Sequence, residues 1–107
     1  MAEMTEESLI QLCNSMQNQG IYRTPEINDK LYLHCQGYRT VSPEAMKRYT
    51  GLKVLWLQSN GLTGIQGLDT CTKLRTLYLH ENVIEVMENL DYLVELYVGR
   101  VLLLYYY

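Results

Sequence analysis

The sequence predicts an α/β solenoid, because leucines recur in one fixed frame and an asparagine follows them in the two clearest copies. The clearest copy of the frame consists of Leu52, Leu55, Leu57, Asn60, Leu62, Ile65 and Leu68. The next copy consists of Leu74, Leu77, Leu79, Asn82, Ile84, Met87 and Leu90. Their step of 22 residues is typical of leucine-rich repeats. Each copy is expected to add a short strand to a parallel sheet on the concave side and a short helical or irregular segment on the convex side.

The N-terminal segment, residues 1–20, is predicted to form a helical cap on this solenoid. Residues 5–18 place apolar side chains on one helical face, and those side chains are Leu9, Ile10, Leu12, Cys13 and Met16. Thr5 is a suitable N-cap residue, and Gly20 suits the end of the helix. A solenoid needs such a cap because its first repeat otherwise exposes the core. The alternative is a free amphipathic helix that finds another partner.

An irregular connector leads into a degenerate first copy of the frame. Leu31 and Leu33 precede Leu55 and Leu57 by 24 residues, and Gln36 takes the place of the asparagine. Further apolar positions of this copy are Tyr38, Val41, Met46, Tyr49 and Leu52, with a two-residue insertion around Ser42 and Pro43. Terminal repeats are commonly atypical.

The repeats, about three and a half of them over residues 21–98, lose their pattern toward the C-terminus. A standard fourth copy needs leucines at positions 99 and 101 and an asparagine at 104, which the chain lacks. A shorter register lets Leu93, Leu96 and Val98 replace Leu74, Leu77 and Leu79. Residues 99–107 form an atypical apolar tail. An uncapped solenoid end leaves apolar surface and a strand edge open, so self-association through this end is expected.

Composition argues against several classes of function. The formal net charge is -3, which gives no reason to expect binding to nucleic acid or to an anionic membrane. The three cysteines are scattered, which favours a reducing, cytoplasmic compartment. The acidic N-terminus is not a signal peptide, and no apolar run approaches the ~18 residues of a membrane span.

The alternation of a strand sends one set of side chains of each copy outward, where the copies align into columns. One column is aromatic and consists of Tyr32, Trp56 and Tyr78, continued by Tyr97 in the shorter register. It is flanked by two further columns, one of Lys30, Val54 and Thr76 and one of His34, Gln58 and His80. Exposed aromatic residues are frequent interface hot spots, so these nine positions are predicted to bind a protein. The alternative is that the rings only stack on one another across the strands.

No motif predicts catalysis, a metal or a cofactor. His34 and His80 lie two strands apart, ~10 Å, which is too far for one zinc ion with ~2.0 Å bonds to histidine. Cys71 falls on an inward apolar position and is interpreted as a buried small hydrophobic residue. The acidic residues of the last turns are expected to be solvated, and they are Glu81, Glu85, Glu88 and Asp91.

Two segments are more specific than the general repeat pattern. Residues 22–34 read YRTPEINDKLYLH, and residues 49–61 read YTGLKVLWLQSNG. They resemble the N-terminal portion of the axonemal dynein assembly factor 1 family, a leucine-rich-repeat family of ciliated and flagellated cells. The match covers about residues 5–98.

The resemblance implies a non-enzymatic scaffold for cilium and flagellum structure that acts in the cytoplasm during preassembly of dynein arms. Its implied partners are dynein chains or co-chaperones. Two other functions are compatible with the pattern. One is a regulatory subunit of a protein phosphatase, and the other is a structural component of the axoneme or of a microtubule-associated complex.

Overall fold

A four-stranded parallel sheet organises the fold. The computed structural model describes residues 3–15, 18, 20–91, 93 and 100–102, and of residues 14 and 100–102 only the backbone. Each strand has three residues, and the strands are β1 Lys30–Tyr32, β2 Val54–Trp56, β3 Thr76–Tyr78 and β4 Arg100–Leu102. They lie side by side in chain order, and each pairs in parallel with the next. This arrangement confirms the prediction of leucine-rich repeats with a short parallel sheet.

The register of the first three strands is the one that the leucine frame predicts. Leu31 pairs with Leu55, and Leu55 pairs with Leu77. All three side chains are buried, whereas Tyr32 and Trp56, which follow Leu31 and Leu55, are only partly buried. The alternation of the strands therefore separates a core face from an open face, as expected for residues of period two.

The predicted register of the fourth copy was wrong. Leu77 pairs with Val101 and Tyr78 pairs with Leu102, so the last step is 101 − 77 = 24 residues. This step is longer than both registers considered from the sequence. Leu96, Tyr97 and Val98 lie outside the described residues, but Leu102 takes the place beside Tyr78 that the shorter register assigned to Tyr97. The leucine spacing is irregular after Leu93, so it could not show that the last step is longer. The pairing of the strand backbones set that step.

Helix α1, Glu6–Gln11, is shorter than the predicted helix over residues 5–18, and a single 3-10 turn, Leu12–Asn14, follows it. Its start is as predicted, because the Thr5 hydroxyl accepts a hydrogen bond from the Ser8 N–H at 3.0 Å. The helix stops early because Ser15 turns into extended backbone, and its hydroxyl and N–H both donate to the Leu12 carbonyl. Serine side chains compete for backbone groups in this way.

Helix α2, Pro43–Met46, begins at the two-residue insertion around Ser42 and Pro43. The Ser42 hydroxyl caps it by accepting a hydrogen bond from the Ala45 N–H at 3.2 Å. Proline suits the first helical position because its missing N–H has no partner there. Ala45 and Met46 are buried, so this helix contributes to the core.

One continuous core fills the interior of the coils. It contains the inward positions of the first two copies together with Cys71, whose side chain is fully buried. Within the described part of the chain, no helix has the length and apolar character needed to span a membrane.

The third copy departs from the predicted core at its far turn. Met87 is 49% exposed, although the leucine frame places it inside. Ile84 and Leu90 are only partly buried, while Leu93 is buried. Each coil of a solenoid is covered by the coils on its two sides. Only the second coil covers this turn among the described residues, so the spacing of apolar residues does not guarantee burial there.

Candidate functional site

The open face of the sheet is held in register by two asparagine side chains inside the coils. The Asn82 Oδ1 accepts hydrogen bonds from the N–H groups of three residues of the preceding coil, Asn60, Gly61 and Leu62, at 3.0, 2.8 and 2.9 Å. Its Nδ2 donates to the carbonyls of Leu57 and Leu79 at 3.0 and 2.9 Å. The asparagine thus provides partners for backbone groups of both coils, which buried backbone groups need.

Asn60 repeats this arrangement one coil earlier. Its Oδ1 accepts from the N–H groups of Gln36, Gly37 and Tyr38 at 2.8, 3.0 and 3.3 Å. Its Nδ2 donates to the carbonyls of Leu33 and Leu57, both at 2.9 Å. Each asparagine therefore joins two coils, and the residues of neighbouring strands are placed directly side by side.

This register brings Tyr32, Trp56 and Tyr78 together on the open face, where we call them the aromatic column. The ring centroids of Tyr32 and Trp56 lie 4.2 Å apart with 22° between the ring planes. Those of Trp56 and Tyr78 lie 5.2 Å apart at 9°. All three side chains are partly buried. The spacing follows from the ~4.8 Å between strands, which matches the separation of stacked rings.

Stacking decides which part of the rings a partner can contact. Both faces of the Trp56 indole are turned toward a tyrosine ring. The column thus offers mainly ring edges outward, and aromatic edges carry partial positive charge. The alternative considered from the sequence, mutual stacking, is present in the structure. It does not exclude binding, since the stacked edges still face outward from the sheet.

The two flanking columns differ in character. Lys30 is exposed, whereas Val54 and Thr76 beside it are partly buried. On the other side, His34 and His80 stand edge-on to Tyr32 and Tyr78, with centroid distances of 6.3 and 6.4 Å.

Gln58 lies between these histidines in sequence order and is partly buried. Its Oε1 and the His80 Nδ1 are buried and have no hydrogen-bond partner in the described part of the chain, so neither atom faces solvent. The structure therefore brings all nine predicted site residues to one face, but their side chains differ in solvent exposure.

A row of tight turns ends each strand of the site. Cys35, Ser59 and Glu81 occupy equivalent positions with φ of 57°, 59° and 58°. The Cys35 N–H donates to the Gln58 carbonyl, and the Ser59 hydroxyl donates to Glu81 Oε1. Left-handed backbone is unusual for these residue types. No apolar periodicity signals these turns, so sequence reasoning missed them.

Sequence reasoning also missed Asn18, which is fully buried beside β1. Its Oδ1 accepts a hydrogen bond from the Tyr32 N–H at 3.0 Å, and its Nδ2 donates to the Tyr32 carbonyl at 2.8 Å. The amide therefore occupies the outer edge of β1 as a neighbouring strand would. Gln17 and Gln19 flank Asn18 in the sequence, so polarity alone did not single it out.

The titratable groups with the largest shifts lie in the core and not on the open face. Burial raises the pKa of the Cys71 thiol to about 11 and that of Tyr49 to about 12. A protonated, buried thiol is a poor nucleophile. Among the described residues, no group of three or more histidine, cysteine or acidic side chains is arranged to hold a metal ion.

Comparison with known proteins matches the repeats. A family model described as leucine rich repeats, in two copies, covers residues 50–93. A dynein axonemal assembly factor 1 homologue of Drosophila pseudoobscura is 46% identical over 60 residues. Human dynein axonemal assembly factor 1 is 44% identical over 54 residues, and a leucine-rich repeat-containing protein of Chlamydomonas reinhardtii is 40% identical over 65 residues. The chain carries leucine-rich repeats, and its resemblance to the axonemal dynein assembly factor 1 family is confirmed.

The shared region is a small part of these relatives. It covers 56% of this leucine-rich-repeat chain and 4% of the Drosophila protein, 50% and 7% for the human protein, and 61% and 14% for the Chlamydomonas protein. No solved structure matches the chain significantly.

Proposed function

We propose that this chain is a non-enzymatic scaffold in the assembly of axonemal dynein arms, and that it acts in the cytoplasm of ciliated or flagellated cells. The proposal is supported by the names of the relatives that share its repeats. It is also supported by the character of the open face, which presents a row of stacked aromatic rings.

The aromatic column is the observation on which the binding proposal depends. Tyrosine and tryptophan are enriched among residues that dominate the energy of protein interfaces, because they bury large area at low entropic cost. Three such rings in contact form one ordered surface, since stacking restricts each side chain before binding. Pre-ordered side chains lose less entropy in a complex. A protein segment laid across the strands can therefore contact Tyr32, Trp56 and Tyr78 together.

The test is capture of partners from the cytoplasm of ciliated cells by the tagged chain, followed by mass spectrometry. Dynein chains or co-chaperones are expected with the wild-type chain. Trp56→Ala is expected to weaken that binding by about 2 kcal/mol, or about thirtyfold. Circular dichroism must show that the variant is folded at the assay temperature. The matched control is Lys47→Ala at the end of α2, which lies outside the sheet.

Three outcomes would replace the proposal. Enrichment of a phosphatase catalytic subunit in place of dynein chains would identify a regulatory subunit. Retention of the chain in detergent-extracted flagella would identify a structural axonemal component. Unchanged capture by folded Trp56→Ala would remove the aromatic column from the binding surface.

We further propose that the N-terminal segment serves as the cap of the solenoid. The Asn18 amide occupies the outer edge of β1, and Leu9 of α1 belongs to the core. Loss of this cover would leave a strand edge and apolar surface in water. Deletion of residues 1–20 is expected to cause aggregation, and a soluble monomer with unchanged stability would contradict the role.

A further inference from the structure

We propose that the segment bound on the open face is acidic and extended, and that it lies beside a group of basic residues at the N-terminal ends of the strands. This inference rests on the proposed function, because it specifies the partner of the same face. It follows from the distribution of charge around the aromatic column.

The basic edge consists of Lys30, Lys53, Lys73 and Arg75, and all four side chains are exposed. Lys30 begins β1, whereas Lys53 and Arg75 directly precede β2 and β3. The backbone aligns Lys53 and Arg75 with Asp29 in one row, and Lys30 lies one residue further along β1. The Lys53 N–H donates to the Asp29 carbonyl at 2.7 Å, and the Arg75 N–H donates to the Lys53 carbonyl at 2.8 Å. In β4, Arg100 pairs with Thr76 and so occupies the backbone position equivalent to Lys30.

This edge is basic although the chain as a whole carries a net charge of -3. Four of its nine lysines and arginines lie within the edge. Asp29 is the acidic residue in the row among the described residues. The ion pairs of the described part of the chain connect Lys47 with Glu44 and connect Arg48 with Glu6 and Glu26. Lys30, Lys53 and Lys73 have no ion-pair partner there, so their charges are available to a ligand.

The C-terminal ends of the strands, on the other side of the aromatic column, have a different charge. Its turns contain Cys35, Ser59 and Glu81, and Glu81 is acidic. The basic side chains therefore lie at one end of the strands, and Glu81 lies at the other. The ring edges between them carry partial positive charge and favour carbonyl or carboxylate oxygens. Complementary charge across an interface sets orientation and accelerates association, so an acidic segment is expected beside the lysines.

The probes are short fluorescein-labelled peptides that alternate Glu, Ser and Leu, with matched versions carrying Gln or Lys in place of Glu. Binding to the full chain is measured by fluorescence anisotropy. The glutamate peptide is expected to bind tightest, and its affinity is expected to fall about tenfold between roughly 0.05 and 0.5 M salt as screening shortens the range of the charges.

A double reversal, Lys30→Glu with Lys53→Glu, is expected to weaken binding of the glutamate peptide at least about tenfold, mainly through slower association. The matched control has the same change of net charge at exposed positions away from the face, Arg39→Glu with Lys47→Glu. The control is expected to change the affinity for the glutamate peptide less than about twofold. It alters only the long-range attraction between chain and peptide, which salt screens.

The outcomes separate this inference from the proposed function. Equal binding of the glutamate and glutamine peptides, with loss of both in Trp56→Ala, overturns the acidic preference and keeps the aromatic site. Binding that Trp56→Ala leaves unchanged overturns both. Preference for the lysine peptide, or for a single-stranded oligothymidylate over the glutamate peptide, also overturns the inference.

Discussion

Replacing Trp56 by alanine removes two stacking contacts at once, since the indole lies between Tyr32 and Tyr78 at 4.2 and 5.2 Å. Each aromatic pair contributes about 0.5–1.5 kcal/mol beyond the area that it buries. The lost ring contacts alone therefore cost about 1–3 kcal/mol of unfolding free energy. Tyr32→Ala and Tyr78→Ala each remove one contact with Trp56, so about half this cost is expected for each.

Double-mutant cycles isolate the ring contacts from the loss of buried area. The coupling energy is expected to be about 0.5–1.5 kcal/mol for Tyr32 with Trp56 and for Trp56 with Tyr78. It is expected to fall below about 0.5 kcal/mol for Tyr32 with Tyr78, whose strands are roughly 10 Å apart.

Urea unfolding followed by circular dichroism provides these free energies, because Trp56 is the only tryptophan and its fluorescence disappears in the variant. Adjacent pairs with no coupling, or an outer pair coupled as strongly as the adjacent pairs, would refute the stacked column.

Three further changes test the scaffold. Asn60→Ala leaves three N–H groups of the first coil without an acceptor and is expected to cost about 3 kcal/mol or more in urea unfolding. Gly67→Ala is expected to destabilise more than Gly20→Ala, because a Cβ at Gly67 lies 2.7 Å from the Val41 carbonyl oxygen and one at Gly20 meets nothing within 4 Å. Burial raises the pKa of Tyr49 to about 12 from 10.0 for the free side chain, so the fold favours its neutral phenol. Its contribution to the free energy of unfolding is therefore lost as pH rises from 10 toward 12. Tyr49→Phe is expected not to show this alkaline loss of stability.

Each of these three tests has a clear contrary result. An Asn60→Ala variant within 1 kcal/mol of wild type, on the scale of about one ordinary hydrogen bond, would contradict its role in joining coils. Gly67 and Gly20 both have positive φ, of 78° and 87°. Equal losses of unfolding free energy in the two alanine variants would mean that backbone conformation, and not the close contact at Gly67, dominates. An identical alkaline decline in Tyr49→Phe, measured by thermal unfolding at several pH values, would assign that decline to other groups.

The leucine frame predicted the sheet well because its information is local. Within one copy, the spacing of Leu55 and Leu57 determines which side chains share a face of a strand. Repetition at 22 and 24 residues then aligns equivalent positions, so the members of the aromatic column could be named before their coordinates were known. The asparagine positions carried the same kind of information, since a side-chain amide can serve both coils.

The remaining features depend on contacts between distant segments. Asn18 bonds to Tyr32, which is 14 residues away, and no periodic pattern connects them. The length of the last step, from Leu77 to Val101, was decided by strand pairing after the leucine spacing had become irregular. Met87 keeps its place in the frame but is half exposed, because burial requires a neighbouring coil as well as an inward direction.

The sequence alone determined the repeat, the parallel sheet and the residues of its open face, because all three follow from the positions of side chains along a strand. The tertiary structure decided that the rings of the aromatic column turn their faces to one another and their edges outward. It also decided that Lys53 and Arg75 of the basic edge align with each other at the N-terminal ends of neighbouring strands. These features depend on side-chain orientation and on the relative placement of separate coils, which spacing along the chain does not specify.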